Sequence, residues 1–177
     1  MKSNPKVSLG TAGVGPRLLT AVFQRETGTR LAVVPYRGTA AVFQDLMGGQ
    51  IDISFMTPDG LPLVRAGSLK AYAATSNARL TVAPDIPTFA ELGFPMLSWS
   101  SWYGLFAPKG TPKDIIGKLN AAAAAALADP AVRSRLADLG EGVFSPEQQT
   151  PEALGALVKA DAEKWWPIIK ELGIKAE

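Results

Sequence analysis

The stretch KVSLGTAGVGPRLLTAVFQRE, residues 6–26, predicts a short strand, a glycine-rich turn and an amphipathic helix. The strand is expected at residues 6–10, the turn at 11–16 and the helix at 17–26. The same alternation continues, with strands predicted at residues 31–34, 51–55 and 69–75 and helices at 38–47 and 58–66. Strands separated by helices are typical of a parallel sheet covered on both faces, so the sequence predicts an α/β fold.

The pattern changes after residue 75. Residues 76–87 have no clear period, a short helix is predicted at 87–93, and SWSSWYGLFAP at residues 98–108 is an aromatic, strand-like run that we interpret as a domain crossing. Three helices follow, each begun by Thr-Pro or Asp-Pro, which puts a capping side chain just before a proline at the first helical position. Their predicted spans are residues 111–128, 129–140 and 150–172.

The composition limits the chemistry that this chain can perform. Its 177 residues are 47% apolar and 19% charged, with a formal net charge of +2, as in an average globular protein. It has no cysteine and no histidine, which excludes disulfides, thiolate metal sites, imidazole bases and Ser-His-Asp catalysis. We therefore expect a protein that is not an enzyme, with no catalytic residue, no metal site and no cofactor.

Charge and hydropathy exclude two further classes of site. Lysine and arginine are scattered along the chain, so no nucleic-acid-binding patch is predicted. No run of about 18 apolar residues occurs, so no transmembrane helix is predicted. Residues 1–5 lack the apolar segment of a signal peptide, so none is expected in this chain.

The glycine-rich turn is the first candidate for a binding site. Glycines between a strand and a helix let the backbone approach an anion, and the first N–H groups of the helix are free to bind it. The spacing G-x-x-G-x-G of Gly10, Gly13 and Gly15 is neither a dinucleotide fingerprint nor a P-loop, so a nucleotide is not expected. The alternative is a tight turn that needs glycine only for positive φ.

The second candidate is the segment YRGTA, residues 36–40, where a strand ends and a helix begins. Ligands of parallel sheets bind beyond the carboxyl ends of the strands, where helix N-termini meet, and two such termini suit a carboxylate. The third strand ends nearby with Met56, whose flexible side chain suits an apolar wall. The alternatives are that Tyr36 and Met56 pack in the core and that Arg37 is only solvated.

Several short motifs keep one order along the chain. They are VPYRG at residues 34–38, LMGGQID at 46–52, AGSLKA at 66–71, DIPT at 85–88, SWYGLFAP at 101–108 and LADP at 127–130. Together, over residues 10–174, the sequence resembles the tripartite tricarboxylate transporter substrate-binding proteins, also called Bug receptors.

The resemblance implies a type II periplasmic-binding-protein fold, in which two α/β lobes hold a carboxylated ligand in a cleft. Residues 1–96 are then expected to form the second lobe, with a mainly parallel sheet, and residues 97–177 the mostly helical segment that returns to the first lobe. A periplasmic location and membrane transporter subunits as partners are also implied. Since relatives are longer, we expect a C-terminal fragment with an incomplete cleft and a ligand affinity that is weak or absent.

The function expected from the resemblance is that of a solute-binding receptor for a small organic carboxylate, held by the amides of two helix N-termini. Many relatives carry an acidic residue where Met56 stands, so we expect a ligand without an ammonium group. Relatives also carry a few more polar residues after Gly15, so the hydroxyl contacts expected there are missing. The expected ligand contacts are Thr11, Ala12, Gly13, Tyr36, Gly38, Thr39, Ala40 and Met56.

Two other functions stay open from the residues. One is a small α/β transferase acting on a phosphorylated metabolite, which needs a general base near the glycine-rich turn that the sequence does not supply. The other is an interaction module that binds no small ligand. Apolar stripes on the last helices, with no sheet to cover them, also predict a homodimer. The stripes consist of Leu119, Ala123 and Leu127 and of Leu154, Leu157 and Trp165.

Overall fold

The computed structural model of the protein describes residues 7–174. The chain forms two compact units that divide between Ser101 and Trp102. The division was predicted after residue 96, and the assignment of the units to two lobes stays a prediction. The predicted start of the first strand at residue 6, and the expectations for residues 1–5 and 175–177, lie outside the described residues.

The first unit is built on a three-stranded parallel sheet, which confirms the predicted α/β class. The strands lie in the order β2-β1-β3, so the first strand is central. A short 3₁₀ turn, Pro58–Gly60, precedes the third helix. The strands are β1 (Ser8–Ala12), β2 (Ala32–Tyr36) and β3 (Ile53–Ser54), and the helices are α1 (Val14–Thr27), α2 (Thr39–Met47) and α3 (Leu61–Arg65).

β2 extends beyond its predicted end. Pro35 was expected to stop the strand, but the strand continues to Tyr36 and pairs with β1 in register Pro35–Thr11 and Tyr36–Ala12. Proline is tolerated here because β2 is an edge strand, so the missing N–H faces no partner strand. The carboxyl end of β2 is thereby carried level with that of β1.

Two predicted elements of the first unit are wrong. The fourth strand, at residues 69–75, is reduced to a single parallel bridge between Ala74 and Thr88. The chain leaves the sheet directly after Thr88, because Thr88 and Glu91 form a capping box. In it, the side chain of each residue accepts a hydrogen bond from the backbone amide of the other. The helix predicted at residues 87–93 is a series of turns that follows this box.

The core of this unit lies between the sheet and α1. Leu9 of β1 and Leu18, Leu19 and Val22 of α1 are buried. Leu97, in a 3₁₀ turn that packs on α1, is fully buried. A cluster of three rings, Phe23, Phe55 and Phe89, has centroids 6.0–6.3 Å apart and extends this core.

The second unit is mostly helical, as predicted. Asp129 accepts hydrogen bonds from the amides of Ala131 and Val132, and Thr150 accepts one from Ala153, which confirms both caps. Thr111 is not a cap, because its hydroxyl donates to the Pro108 carbonyl and the helix begins two residues later. The helices are α4 (Lys113–Ala128), α5 (Pro130–Asp138) and α6 (Pro151–Glu171).

This unit has few buried side chains. Among its described residues, only Trp165 and Ile168 of α6 are buried hydrophobics, whereas Tyr103 is 82% and Trp166 68% exposed. The placement of Trp165 on an uncovered stripe was therefore wrong. The aromatic run at residues 98–108 forms no strand, although the Trp102 indole N–H donates to Asp161 at 2.6 Å.

Within residues 7–174, no single helix is long and apolar enough to cross a membrane. The pair α4 and α5 reaches that length and composition only together, across a bend of 72°.

Asp52, which directly precedes β3, is hydrogen-bonded to Ser8, the first residue of β1. Its carboxylate accepts hydrogen bonds from the Ser8 amide at 2.7 Å and the Ser8 hydroxyl at 2.8 Å. The backbone bond first, and then the hydroxyl bond, hold the pKa of Asp52 below its ordinary value of 3.8. Because the pKa of Asp52 is lower in the folded state than in the unfolded state, its carboxylate stabilises the fold fully at any pH above the unfolded-state pKa. This stabilisation is lost as the pH falls through the folded-state pKa.

We therefore expect Asp52→Asn to lower the urea midpoint of unfolding at pH 7. The difference from the wild type should shrink as the pH falls below about 4. Asp85→Asn is the control, because Asp85 is exposed and has no hydrogen-bond partner among the described residues. A midpoint difference for Asp52→Asn that is the same at pH 7 and pH 3 contradicts the assignment.

Candidate functional site

Two helix N-termini lie at one edge of the sheet in the first unit. β1 ends at Ala12 opposite Tyr36, the end of β2, because the two strands are parallel and in register. α1 starts two residues after Ala12, and α2 starts three residues after Tyr36. Both helices therefore direct their first amides to the carboxyl edge, as the sequence predicted.

Neither of these N-termini is satisfied by a side chain. The residues before the two helices are Gly13 and Gly38, no side chain caps either helix, and neither first turn contains an acidic residue. In contrast, Asp129 and Thr150 cap α5 and α6 in the second unit. Uncapped amides and an unopposed helix dipole favour an anion at both positions.

The glycines of the first motif have separate roles, and the predicted turn of six residues is wrong. Gly10 lies inside β1, where a Cβ would stand 2.5 Å from the Ile51 side chain. Gly15 lies in α1, where a Cβ would stand 2.7 Å from the Trp99 ring. Only Gly13 makes the turn, with φ 84° and ψ 177°, a conformation almost restricted to glycine. Two of the three glycines are thus required by packing.

A cavity of about 90 Å³ opens at this edge of the sheet. This is small beside the roughly 300–1,000 Å³ of ligand pockets, so the cavity is suited to part of a small molecule. Its wall is mainly apolar, and none of the side chains that line it is acidic. The lining residues are Ala12, Pro16, Thr39, Val42, Phe43, Ser54, Phe55, Met56 and Thr57.

Three of the predicted contacts, Ala12, Thr39 and Met56, line the cavity. Gly13, Gly38 and Ala40 do not line it, but they are exposed at the two helix N-termini.

The other two predicted contacts, Thr11 and Tyr36, are not among the residues that line the cavity. Thr11 is 1% exposed, and its hydroxyl has no hydrogen-bond partner among the described residues. The Tyr36 hydroxyl donates to the Asp45 carboxylate at 2.7 Å. That bond, with burial and the charge of Asp45, raises the pKa of Tyr36. Whether Thr11 and Tyr36 contact a ligand stays a prediction.

The sequence pattern missed most of the apolar wall. Val42 and Phe43 follow Thr39 at the i+3 and i+4 spacing of one helix face, and in the sequence that spacing indicates only a helix. Ser54 is held in place because its hydroxyl donates to the Gly10 carbonyl at 2.8 Å. Among the described residues, no group of three acidic side chains is placed to bind a metal ion.

Comparisons with known proteins identify a family for this chain. The family described as "Tripartite tricarboxylate transporter family receptor" matches residues 1–174. A protein of Agrobacterium vitis, encoded in the TAR-I ttuE–ttuC' intergenic region, is 38% identical over 175 residues, which are 97% of this chain and 51% of that protein. The chain spans about half the length of most of the curated relatives it matches.

Solved structures of related proteins have the same fold as this chain. The periplasmic binding protein BugD is 36% identical, with a TM-score of 0.85 over 98% of this chain and 59% of that one. MatC from Rhodopseudomonas palustris, with bound malate, is 36% identical, with a TM-score of 0.81 over 92% of this chain and 56% of that one. The predicted periplasmic-binding-protein fold is confirmed.

The family and these structural neighbours also decide the class of protein. They are receptors and binding proteins, which confirms the prediction of a protein that is not an enzyme, and they do not support the transferase alternative. The resemblance seen in the sequence motifs is confirmed over the same length. The chain belongs to the tripartite tricarboxylate transporter receptor family.

Proposed function

We propose that this chain is part of a periplasmic solute-binding receptor that takes up a small organic carboxylate and delivers it to the membrane subunits of a tripartite tricarboxylate-type transporter. The observation that supports it most is the pair of uncapped helix N-termini beside one cavity. A carboxylate there accepts hydrogen bonds from backbone amides while the rest of the ligand lies against the apolar wall. The transporter receptor family supports the link to a transporter, and the structural neighbour BugD, a periplasmic binding protein, supports the periplasmic location.

The preferred ligand lacks an ammonium group. Met56 stands at the end of the third strand, and no lining residue carries a carboxylate that could pair with an ammonium. Burying an unpaired ammonium against Phe43 and Phe55 is unfavourable, because its hydration is lost without compensation. Malate, which is bound to the structural neighbour MatC, is an acid of this kind.

A thermal-shift comparison of malate with aspartate tests this ligand class. The two acids differ in the hydroxyl or ammonium on one carbon, so each is the control for the other. We expect malate at millimolar concentration to raise the midpoint of unfolding and aspartate to raise it less, because bound ligand stabilises the folded state by RT ln(1 + [L]/Kd). A larger shift with aspartate contradicts the proposal.

We also propose that the chain forms a homodimer through its second unit. No residue of α4 or α5 is buried, although both helices are fully described, and Leu119, Val132 and Leu139 are exposed. Large exposed apolar patches on a protein usually mark a site of interaction with another protein. Two copies that pack these helices together bury it, and the exposed run around Tyr103 is available for exchange between them.

Light scattering coupled to size exclusion measures the expected dimer. The chain has a mass of 18.7 kDa, so a particle of twice that mass is expected at micromolar concentration. Leu119→Glu should shift the particle toward the monomer, because it places a charge in the shared surface, whereas Lys118→Glu next to it should not. A stable monomer of the wild-type chain overturns the dimer.

A further inference from the structure

The side chain of Met56 rests against a glycine that leaves room for it. A Cβ on Gly60 would stand 2.1 Å from the Met56 methyl carbon and 3.6 Å from the Phe43 ring. Gly60 is buried, and its φ of −78° and ψ of −13° are open to any residue. Glycine is therefore needed here for space and not for backbone conformation.

The position of the Met56 methyl affects the cavity. Met56 and Phe43 both line it, and the Met56 methyl is the atom that a Cβ on Gly60 would meet first. A methyl group added at Gly60 clashes only with the far end of the flexible Met56 side chain, which can turn aside without moving the backbone. Since the Phe43 ring stands 3.6 Å from the added methyl and Met56 lines the cavity, we expect Met56 to turn into the cavity.

We infer that Gly60 is a positioning residue that, through Met56, sets the length of the apolar ligand chain that the cavity accepts. This inference rests on the proposed function. Each methylene that fits the apolar wall raises affinity about fourfold, so two methylenes are worth about fifteenfold. Gly60→Ala should cancel this gain for a six-carbon dicarboxylate and leave a four-carbon one almost unaffected.

Methyl NMR of the whole chain tests the inference, with succinate and adipate as probes. The chain has four methionines, and Met56→Leu identifies the Met56 signal. Without ligand, Gly60→Ala should move the Met56 methyl signal and leave Met47 in place. Gly142→Ala is the control, because a Cβ there has nothing within 4 Å.

Titration of both acids at millimolar concentration then gives the ratio of their affinities. We expect Gly60→Ala to lower the ratio of adipate affinity to succinate affinity about fifteenfold, and Met56→Ala in the same chain to restore it. An unmoved Met56 methyl, or an unchanged ratio, overturns the inference. If neither acid shifts any signal of the wild-type chain, the proposed function fails instead. In that case, a Met56 methyl signal that still moves in Gly60→Ala shows that Gly60 positions Met56 but that this position has no role in ligand binding.

Discussion

Gly38→Val is expected to weaken carboxylate binding by about 10- to 150-fold. Gly38 precedes α2 in an extended conformation, and a Cβ on it has nothing within 4 Å, so the chain itself has room for valine. The added side chain instead occupies the space in front of the Thr39 and Ala40 amides. Hydrogen bonds to a charged ligand contribute about 1.5–3 kcal/mol, which corresponds to that range of affinity.

The measurement is an NMR titration of the chain with malate at millimolar concentration, which detects weak binding. Urea unfolding should show a loss of stability of no more than about 1 kcal/mol for Gly38→Val, the cost of a poorer residue before a helix. The first amides of α2 should be the signals that move with malate in the wild type. Equal malate affinity for Gly38→Val and wild type means that the site is elsewhere.

Gly13→Val makes a contrasting variant. Valine at φ 84° and ψ 177° carries a strain of about 1–3 kcal/mol, which Gly38→Val does not incur in its extended conformation. Gly13→Val should therefore lose both stability and malate binding. Gly67→Val is the matched control, because Gly67 also has a positive φ with open surroundings but follows the end of α3.

Leu97→Ala is expected to destabilise the first unit by about 2–5 kcal/mol. Leu97 has no exposed surface, and the 3₁₀ turn that carries it packs on α1. Truncation leaves a cavity under the helix whose N-terminus is part of the site. With a typical domain stability of about 5–15 kcal/mol, the loss is a large share of the total.

Urea unfolding followed by tryptophan fluorescence measures this effect, because Trp99 lies against Gly15 at the start of the same helix. Leu92→Ala is the control, since Leu92 is about half exposed and little area is lost there. Near-equal midpoints for Leu97→Ala and wild type contradict the view that this turn secures α1.

The sequence alone determined the elements that depend on local chemistry. Asp129 and Thr150, each before a proline, fixed the starts of α5 and α6, and the confirmed caps show why. The alternation of strands and helices determined the parallel sheet, and with it the meeting of two helix N-termini at one edge. The order of short motifs determined the family.

Only the tertiary structure decided what depends on neighbours distant in the chain. Gly10, Gly13 and Gly15 look alike in sequence, yet Ile51 and Trp99 give two of them packing roles that no local pattern contains. The segment at residues 69–75 has the composition of a strand but no continuous partner, and strand formation requires one. The hydrogen bond from the Tyr36 hydroxyl to Asp45 is likewise decided by folding, which brings the two side chains together. Local capping and periodicity act within a few residues, whereas side-chain contacts and strand pairing act across the fold.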